Sequence, residues 1–123
     1  MPYSILLVDD NRVIRQVLRG MFESLGYLCS ESEDGRHAVA EAARLKPDLI
    51  VLDYSMPVMN GLEAAPLLRE VLPHTPIIMF TMFANSVFAT QALAAGVTAV
   101  VAKDQASTHL LPKAESLLRS TRT

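Results

Sequence analysis

Short apolar runs alternate along the chain with longer stretches in which apolar residues recur at helical spacing. The short runs cover residues 5–8, 27–29, 49–52, 77–80 and 99–102. Several are apolar throughout, the pattern of parallel strands covered by helices on both faces. Run length alone does not separate a strand from a buried helix. The Asp, Pro and Gly residues that flank most of the runs favour strands. Between the first two runs, Val13, Ile14, Val17, Leu18, Met21, Phe22 and Leu25 form one apolar stripe of a helix. Arg12, Arg15, Arg19 and Glu23 fall largely outside it, with Asn11 placed to cap the helix and Gly26 to end it. Further helices are predicted over 38–45, 62–72, 85–95 and roughly 107–119, with Pro47, Pro73 and Gly96 as stop signals. Pro66 is expected near the first turn of the third helix, where a missing N–H matters least. Pro112 leaves the start of the last helix open.

Five β-α units in a row, joined by right-handed crossovers, make an α/β fold with a five-stranded doubly wound parallel sheet. No internal repeat, low-complexity segment or linker interrupts it, so a single domain is expected over 1–123, with 120–123 a frayed tail or the start of a linker.

Composition narrows the function more than the fold. The 123 residues fit one domain, and 50% are hydrophobic, enough for one sizeable core. Charged residues make up 20%, with a formal net charge of −2. That balance gives no support for nucleic-acid binding or for attraction to an acidic membrane. One cysteine, Cys29, cannot form an internal disulfide and fits a reducing compartment. The apolar start is too short for a signal peptide, and no run approaches the roughly 18 residues of a membrane helix. A soluble, cytoplasmic protein is expected.

The chemistry lies where the strands end. The first predicted strand ends in Asp9-Asp10, the third in Asp53, the fourth in Thr81 and the fifth in Lys103. In an open parallel sheet, ligands bind outside the carboxyl ends of the strands. An acid at one strand end is often only a helix cap or a turn residue. The coincidence across four strands carries the signal: three carboxylates, one hydroxyl and one ammonium facing one crevice. Three ionised carboxylates at close range repel one another unless a cation joins them. Mg²⁺ suits such a site because it takes oxygen ligands, commonly one or two carboxylates with a phosphate oxygen. Mn²⁺ is the substitute expected. Lys103 supplies a second positive charge for an incoming phosphoryl group, and Thr81 a hydrogen-bond donor. A carboxylate can itself attack phosphorus and form an acyl phosphate, with metal and lysine offsetting charge in the transition state.

Asp9-Asp10, the run from Asp53 through Met56-Pro57 to Asn60-Gly61, Thr81 and Lys103 together resemble the receiver domain of two-component response regulators. Glu33-Asp34-Gly35 also resembles the family's acid-glycine pattern. The match covers nearly the whole chain, with all five marker positions in order. It implies a flavodoxin-like (βα)5 fold with strand order 2-1-3-4-5. It further implies that Asp53 is the phosphoacceptor, that Asp10 binds Mg²⁺ directly and Asp9 mainly through water, and that Asp53 and the backbone carbonyl of Ser55 complete the protein ligands. Thr81 turns inward to the phosphoryl group, and Lys103 pairs with it. The implied partners are a histidine kinase or phosphotransfer protein upstream, and a target protein or covalently attached output domain downstream. Homodimerisation is a further possibility in this family; neither membrane contact nor direct nucleic-acid binding by the domain is expected. The domain is not an enzyme beyond its own phosphorylation and dephosphorylation.

Four positions depart from the family pattern. Val100 stands where the family usually has an aromatic that moves between outward and inward positions, so the usual Thr-aromatic relay cannot operate as such. Met82 replaces the small residue usual after the threonine and is expected to crowd the phosphoryl entrance. Asp104 replaces a proline, which receivers attached to helix-turn-helix outputs also often lack. Phe83 replaces a commonly polar residue and is expected to lengthen the phosphorylated lifetime. Met79, Phe80, Met82, Phe83 and Phe88 are mostly expected in the core, with Phe83, Val87 and Phe88 forming an apolar patch near the fourth helix. His37, His74 and His109 share no ligand spacing and are read as surface residues. Cys29 is read as a small core residue.

Three alternatives compete with this reading. A pseudo-receiver would bind partners without phosphorylation, but the five-residue site is intact. Aspartyl-nucleophile phosphohydrolases commonly carry a second acid two residues after the nucleophile, and here that residue is Ser55. A flavin site is disfavoured because the Asp-Asp-Asn loop would repel a phosphate.

Overall fold

The computed structural model describes residues 2–122; Met1 and Thr123, the outermost residues of the predicted 1–123 domain, lie outside the described residues. The elements run β1 (Ser4–Val8), α1 (Arg12–Glu23), β2 (Leu28–Ser32), α2 (Gly35–Leu45), β3 (Leu49–Leu52), α3 (Gly61–Val71), β4 (Ile77–Thr81), α4 (Ser86–Ala94), β5 (Ala99–Ala102) and α5 (Leu111–Arg122). A 3-10 turn (Lys103–Gln105) and a π-helical turn (Ala106–Leu110) link β5 to α5. All strand pairs are parallel, in the order β2-β1-β3-β4-β5. The order reverses at β1 and β3, which opens the crevice beyond their carboxyl ends.

Alternation along the strands splits the core in two. Leu6, Val8, Ile50, Leu52, Ile77 and Met79 face one side and pack on α2, α3 and α4. Ile5, Leu7, Leu49, Val51, Ile78 and Phe80 face the other and pack on Leu18 and Phe22 of α1 and Leu110, Ala114 and Leu118 toward the chain end. Both faces being covered explains why β3 and β4 are buried at every residue.

Several predicted details are corrected. The second strand was expected over 27–29 and runs instead over Leu28–Ser32: it lies at the sheet edge and its residues after Cys29 are polar, so the apolar run stops short of the strand. Only Leu18 and Phe22 of the α1 stripe are fully buried; Val13, Val17 and Leu25 are exposed. The second helix starts at Gly35, not residue 38, because the Asp34 carboxylate accepts from the His37 amide and caps it there. Pro66 is not in the first turn of α3 but at its sixth residue, on the exposed side, where water can replace the lost backbone bond. The last helix is regular only from Leu111 and continues to Arg122, so most of the predicted tail is helical. Just ahead of Pro112, the chain widens into the π turn, which relieves the clash of a proline ring with the preceding turn. Met82 and Phe83 are not core: they are 80% and 52% exposed, whereas Phe88 is buried. The apolar patch therefore consists of Met82, Phe83 and Val87.

Candidate functional site

Asp9 and Asp53 are brought together by the pairing of β1 with β3. The Asp53 amide donates to the Val8 carbonyl at 2.9 Å, which sets the two acids side by side just beyond the strands. Both are almost fully buried, Asp9 at 3% and Asp53 at 4% exposure, whereas Asp10 is exposed at the rim. Carboxylate oxygens of Asp9, Asp10 and Asp53 all lie within 4.8 Å of one another. Lys103 reaches in from the end of β5, its Nζ 3.0 Å from Asp9 Oδ2 and 3.2 Å from Asp53 Oδ1. Thr81, at the end of β4, is 1% exposed, and its Oγ1 accepts from the Phe83 amide at 3.2 Å. Ser55 is exposed in the loop after β3, two residues beyond Asp53. The predicted residues on β1, β3 and β5 thus converge, and Thr81 closes the row.

The electrostatics describe a site short of positive charge. Burial, then the charge of Asp9, pushes the Asp53 carboxyl up to about 6, although Lys103 pulls the other way. Burial lowers the Lys103 ammonium, but its hydrogen bond to Asp9 and the charge of Asp53 outweigh burial, and its pKa is raised. One lysine faces three carboxylates. An all-oxygen donor set with excess negative charge and an open side fits a hard divalent cation.

The loop between β3 and α3 is built to hold Asp53 in place. The Asn60 side chain caps α3 by accepting from the Glu63 amide at 2.9 Å, and Glu63 returns a bond to the Asn60 amide at 3.0 Å. The Gly61 amide donates to the Tyr54 carbonyl at 2.8 Å. A Cβ on Gly61 would collide with the Asp53 carbonyl, so only glycine lets the helix start this close. Val58 sits at φ 70°, the middle of a γ-turn closed by Met59 N–H to the Pro57 carbonyl at 2.7 Å.

Two contributors were not picked out from sequence. Arg15 was placed on the polar face of α1, yet its Nη1 donates to the Asp9 carbonyl at 2.5 Å. Helical side chains lean toward the helix N-terminus, and an arginine one turn past the Asn11 cap reaches back to the strand end. Tyr54 was seen only as part of the motif. Its ring makes edge-to-face contacts with Phe83 at 5.9 Å and Phe88 at 5.0 Å, tying the loop after β3 to the start of α4.

The family model for the response regulator receiver domain matches residues 5–115. The chain belongs to the response regulator receiver domain family. Its similarity to other receivers is spread over the whole fold. It is 41% identical over 96% of its length to a protein-glutamate methylesterase/protein-glutamine glutaminase of Hahella chejuensis, of which it covers 35%. It is 31% identical over 80% of its length to the chemotaxis protein CheY of Thermotoga maritima, covering 83% of that protein. The structure of CheY4 from Vibrio cholerae superposes with a TM-score of 0.89 at 30% identity, covering 95% of this chain and 99% of that one. The chain spans between about a third and about half of the first curated relatives it matches. The positions expected to depart from the family pattern lie around Thr81 and β5. Val100 is half-buried against the core, Asp104 is exposed, and Met82, 80% exposed, lines an opening together with Lys103.

Proposed function

We propose that this receiver takes a phosphoryl group on Asp53 from a phosphohistidine on a histidine kinase or phosphotransfer protein, and passes the change to a target protein or an attached output domain. The observation that carries the reading is the buried Asp53 carboxylate, 3.2 Å from Lys103 and clustered with Asp9 and Asp10. An Asp53 carboxylate oxygen attacks phosphorus, the P–O bond forms as the P–N bond to imidazole breaks, and the departing imidazole takes a proton from solvent. Mg²⁺, or Mn²⁺, held by Asp9, Asp10, Asp53 and the Ser55 carbonyl, would neutralise charge on the phosphoryl oxygens. Lys103 binds the same oxygens, exchanging its present carboxylate partners for the phosphoryl group. Because Asp53 is 4% exposed, a donor must approach through the rim beside Asp10.

The signal leaves through Thr81. When its hydroxyl turns to the phosphoryl group, it releases the Phe83 amide that it now accepts. Phe83 packs on Tyr54, so the movement reaches the start of α4 without an aromatic at position 100. No helix among the described residues is long and apolar enough to cross a membrane.

The test is intact-protein mass after incubation with a small acyl-phosphate donor, with and without Mg²⁺, beside Asp53→Asn. One phosphoryl adduct that requires both Mg²⁺ and Asp53 supports the proposal. Absence of any adduct in the Mg²⁺-loaded wild type overturns it in favour of a partner-binding module that is not phosphorylated.

A further inference from the structure

Asp9 is held at every polar atom. Its amide donates to the Ser32 carbonyl at 3.1 Å, its Oδ1 accepts from the Asn11 amide at 2.8 Å, and its Oδ2 accepts from Lys103 at 3.0 Å. The fourth atom, its carbonyl oxygen, is held by Arg15. That carbonyl belongs to the peptide joining Asp9 to Asp10. The peptide is planar, so fixing its oxygen fixes the direction in which the chain leaves toward Asp10. Asp10 itself is exposed, between the held Asp9 and the Asn11 cap of α1.

We infer that Arg15 is a positioning residue for the acid pair: by clamping the Asp9–Asp10 peptide, it holds Asp10 within cation-binding distance of Asp53. The inference rests on the proposed function, in which these acids bind a divalent cation. Arg15 is itself held. It is 13% exposed, and its Nε pairs with Glu31 Oε1 at 2.8 Å while Nη1 faces the Asp9 carbonyl. Glu31 Oε2 pairs in turn with Arg19 Nε at 2.7 Å. The planar fork serves a carboxylate on β2 and a carbonyl just past β1 at once, which a lysine ammonium cannot reproduce. Glu31 also offsets guanidinium charge that would oppose a cation in the site. The contribution of Arg15 is therefore geometric: its charge alone would disfavour Mg²⁺, while its clamp favours it.

Arg19 provides an internal control. It shares Glu31 with Arg15 but bonds to Glu31 and Glu23, on the side of Glu31 away from the acid pair. The experiment is a Mg²⁺ titration of the full chain followed by amide NMR, with urea unfolding of each variant in chelator. Arg15→Gln is expected to weaken Mg²⁺ binding about tenfold, as removal of a residue supporting metal ligands commonly does. It is also expected to shift the Asp10 and Asn11 amide resonances before any metal is added. Arg15→Lys, which keeps a donor without the fork, should fall between Arg15→Gln and wild type and stands in if Arg15→Gln does not fold. Arg19→Gln should leave Mg²⁺ affinity within about twofold of wild type, since a part-exposed ion pair is worth little. Wild-type affinity in Arg15→Gln or Arg15→Lys, or equal weakening in Arg19→Gln, overturns the positioning role and leaves the metal site standing. Absence of Mg²⁺ binding in the wild type overturns the metal reading and this inference with it.

Discussion

The proposed phosphoacceptor, Asp53, sits in an excess of negative charge. Without metal, Asp53 binds its proton more tightly in the folded chain, at about 6, than at the ordinary carboxylate value of 3.8. Between those values the folded state holds more protons than the unfolded one. The contribution of Asp53 to stability is therefore greatest at low pH and is lost as pH rises through about 6. At pH 7 the ionised carboxylate opposes folding by about 3 kcal/mol, a cost that already contains the pull of Lys103. Asp53→Asn should accordingly stabilise the chelated protein at pH 7 by that amount and flatten the slope between about pH 4 and 6. Urea unfolding in chelator measures both, and equal stability of the two proteins at pH 7 would show that the site carries no such charge excess. Mg²⁺ should bind more weakly as pH falls through the same range, because a protonated Asp53 is a poor ligand.

At the level of elements, the sequence was legible wherever one physical preference dominated. β3 and β4 are covered on both faces, so apolar runs located them to within a residue. The acids, Thr81 and Lys103 were found because strand ends in a parallel sheet share one rim. The misses have the opposite character. β2 lies at an edge, and its residues after Cys29 are polar, so the run appeared to end early. The α1 stripe mixes core contacts at Leu18 and Phe22 with surface at Val13 and Val17, which spacing cannot separate. Arg15 looked like surface charge because its partner is a backbone carbonyl, which has no signature in sequence. Glycine roles divide in the same way. Gly20 is exposed within α1, and a Cβ there would meet nothing within 4 Å, so Gly20→Ala should stabilise by about 0.5–1 kcal/mol. Gly61→Ala would press on the Asp53 carbonyl and the Met79 sulfur, and should cost more than about 2 kcal/mol. It should also lower the yield of phosphoryl adduct per folded molecule, because the atom displaced belongs to Asp53. Thermal unfolding with adduct mass separates the two effects; Gly61→Ala with wild-type stability would refute the close approach.

Across the whole molecule, the two ends of the sheet do different work. The carboxyl ends carry buried acids and a strained Val58. The amino ends are tied by Arg69, which extends from α3 under the starts of β4 and β5. Its guanidinium donates to the carbonyls of Gly96 at 2.8 Å, Thr75 at 2.6 Å, and Leu72 and Pro73 at 3.2 Å each. Thr98 continues the tie, its amide donating to the Ile77 carbonyl at 2.7 Å and its hydroxyl accepting from the Ile77 amide at 3.0 Å. One side chain thus serves four carbonyls in the turns that enter two strands, and Arg69→Met would strip the donor from all of them while keeping much of the apolar stem. A loss of about 2–3 kcal/mol is expected, from charge-assisted bonds to carbonyls that are partly withdrawn from water. Amide exchange should quicken first in β4 and β5. The Mg²⁺ affinity and the adduct yield per folded molecule should not change, because no bond of Arg69 reaches the rim. If the adduct yield falls while the fold holds, the two ends are mechanically coupled, and β4 with β5 transmit strain along their length rather than simply standing as a frame for Thr81 and Lys103.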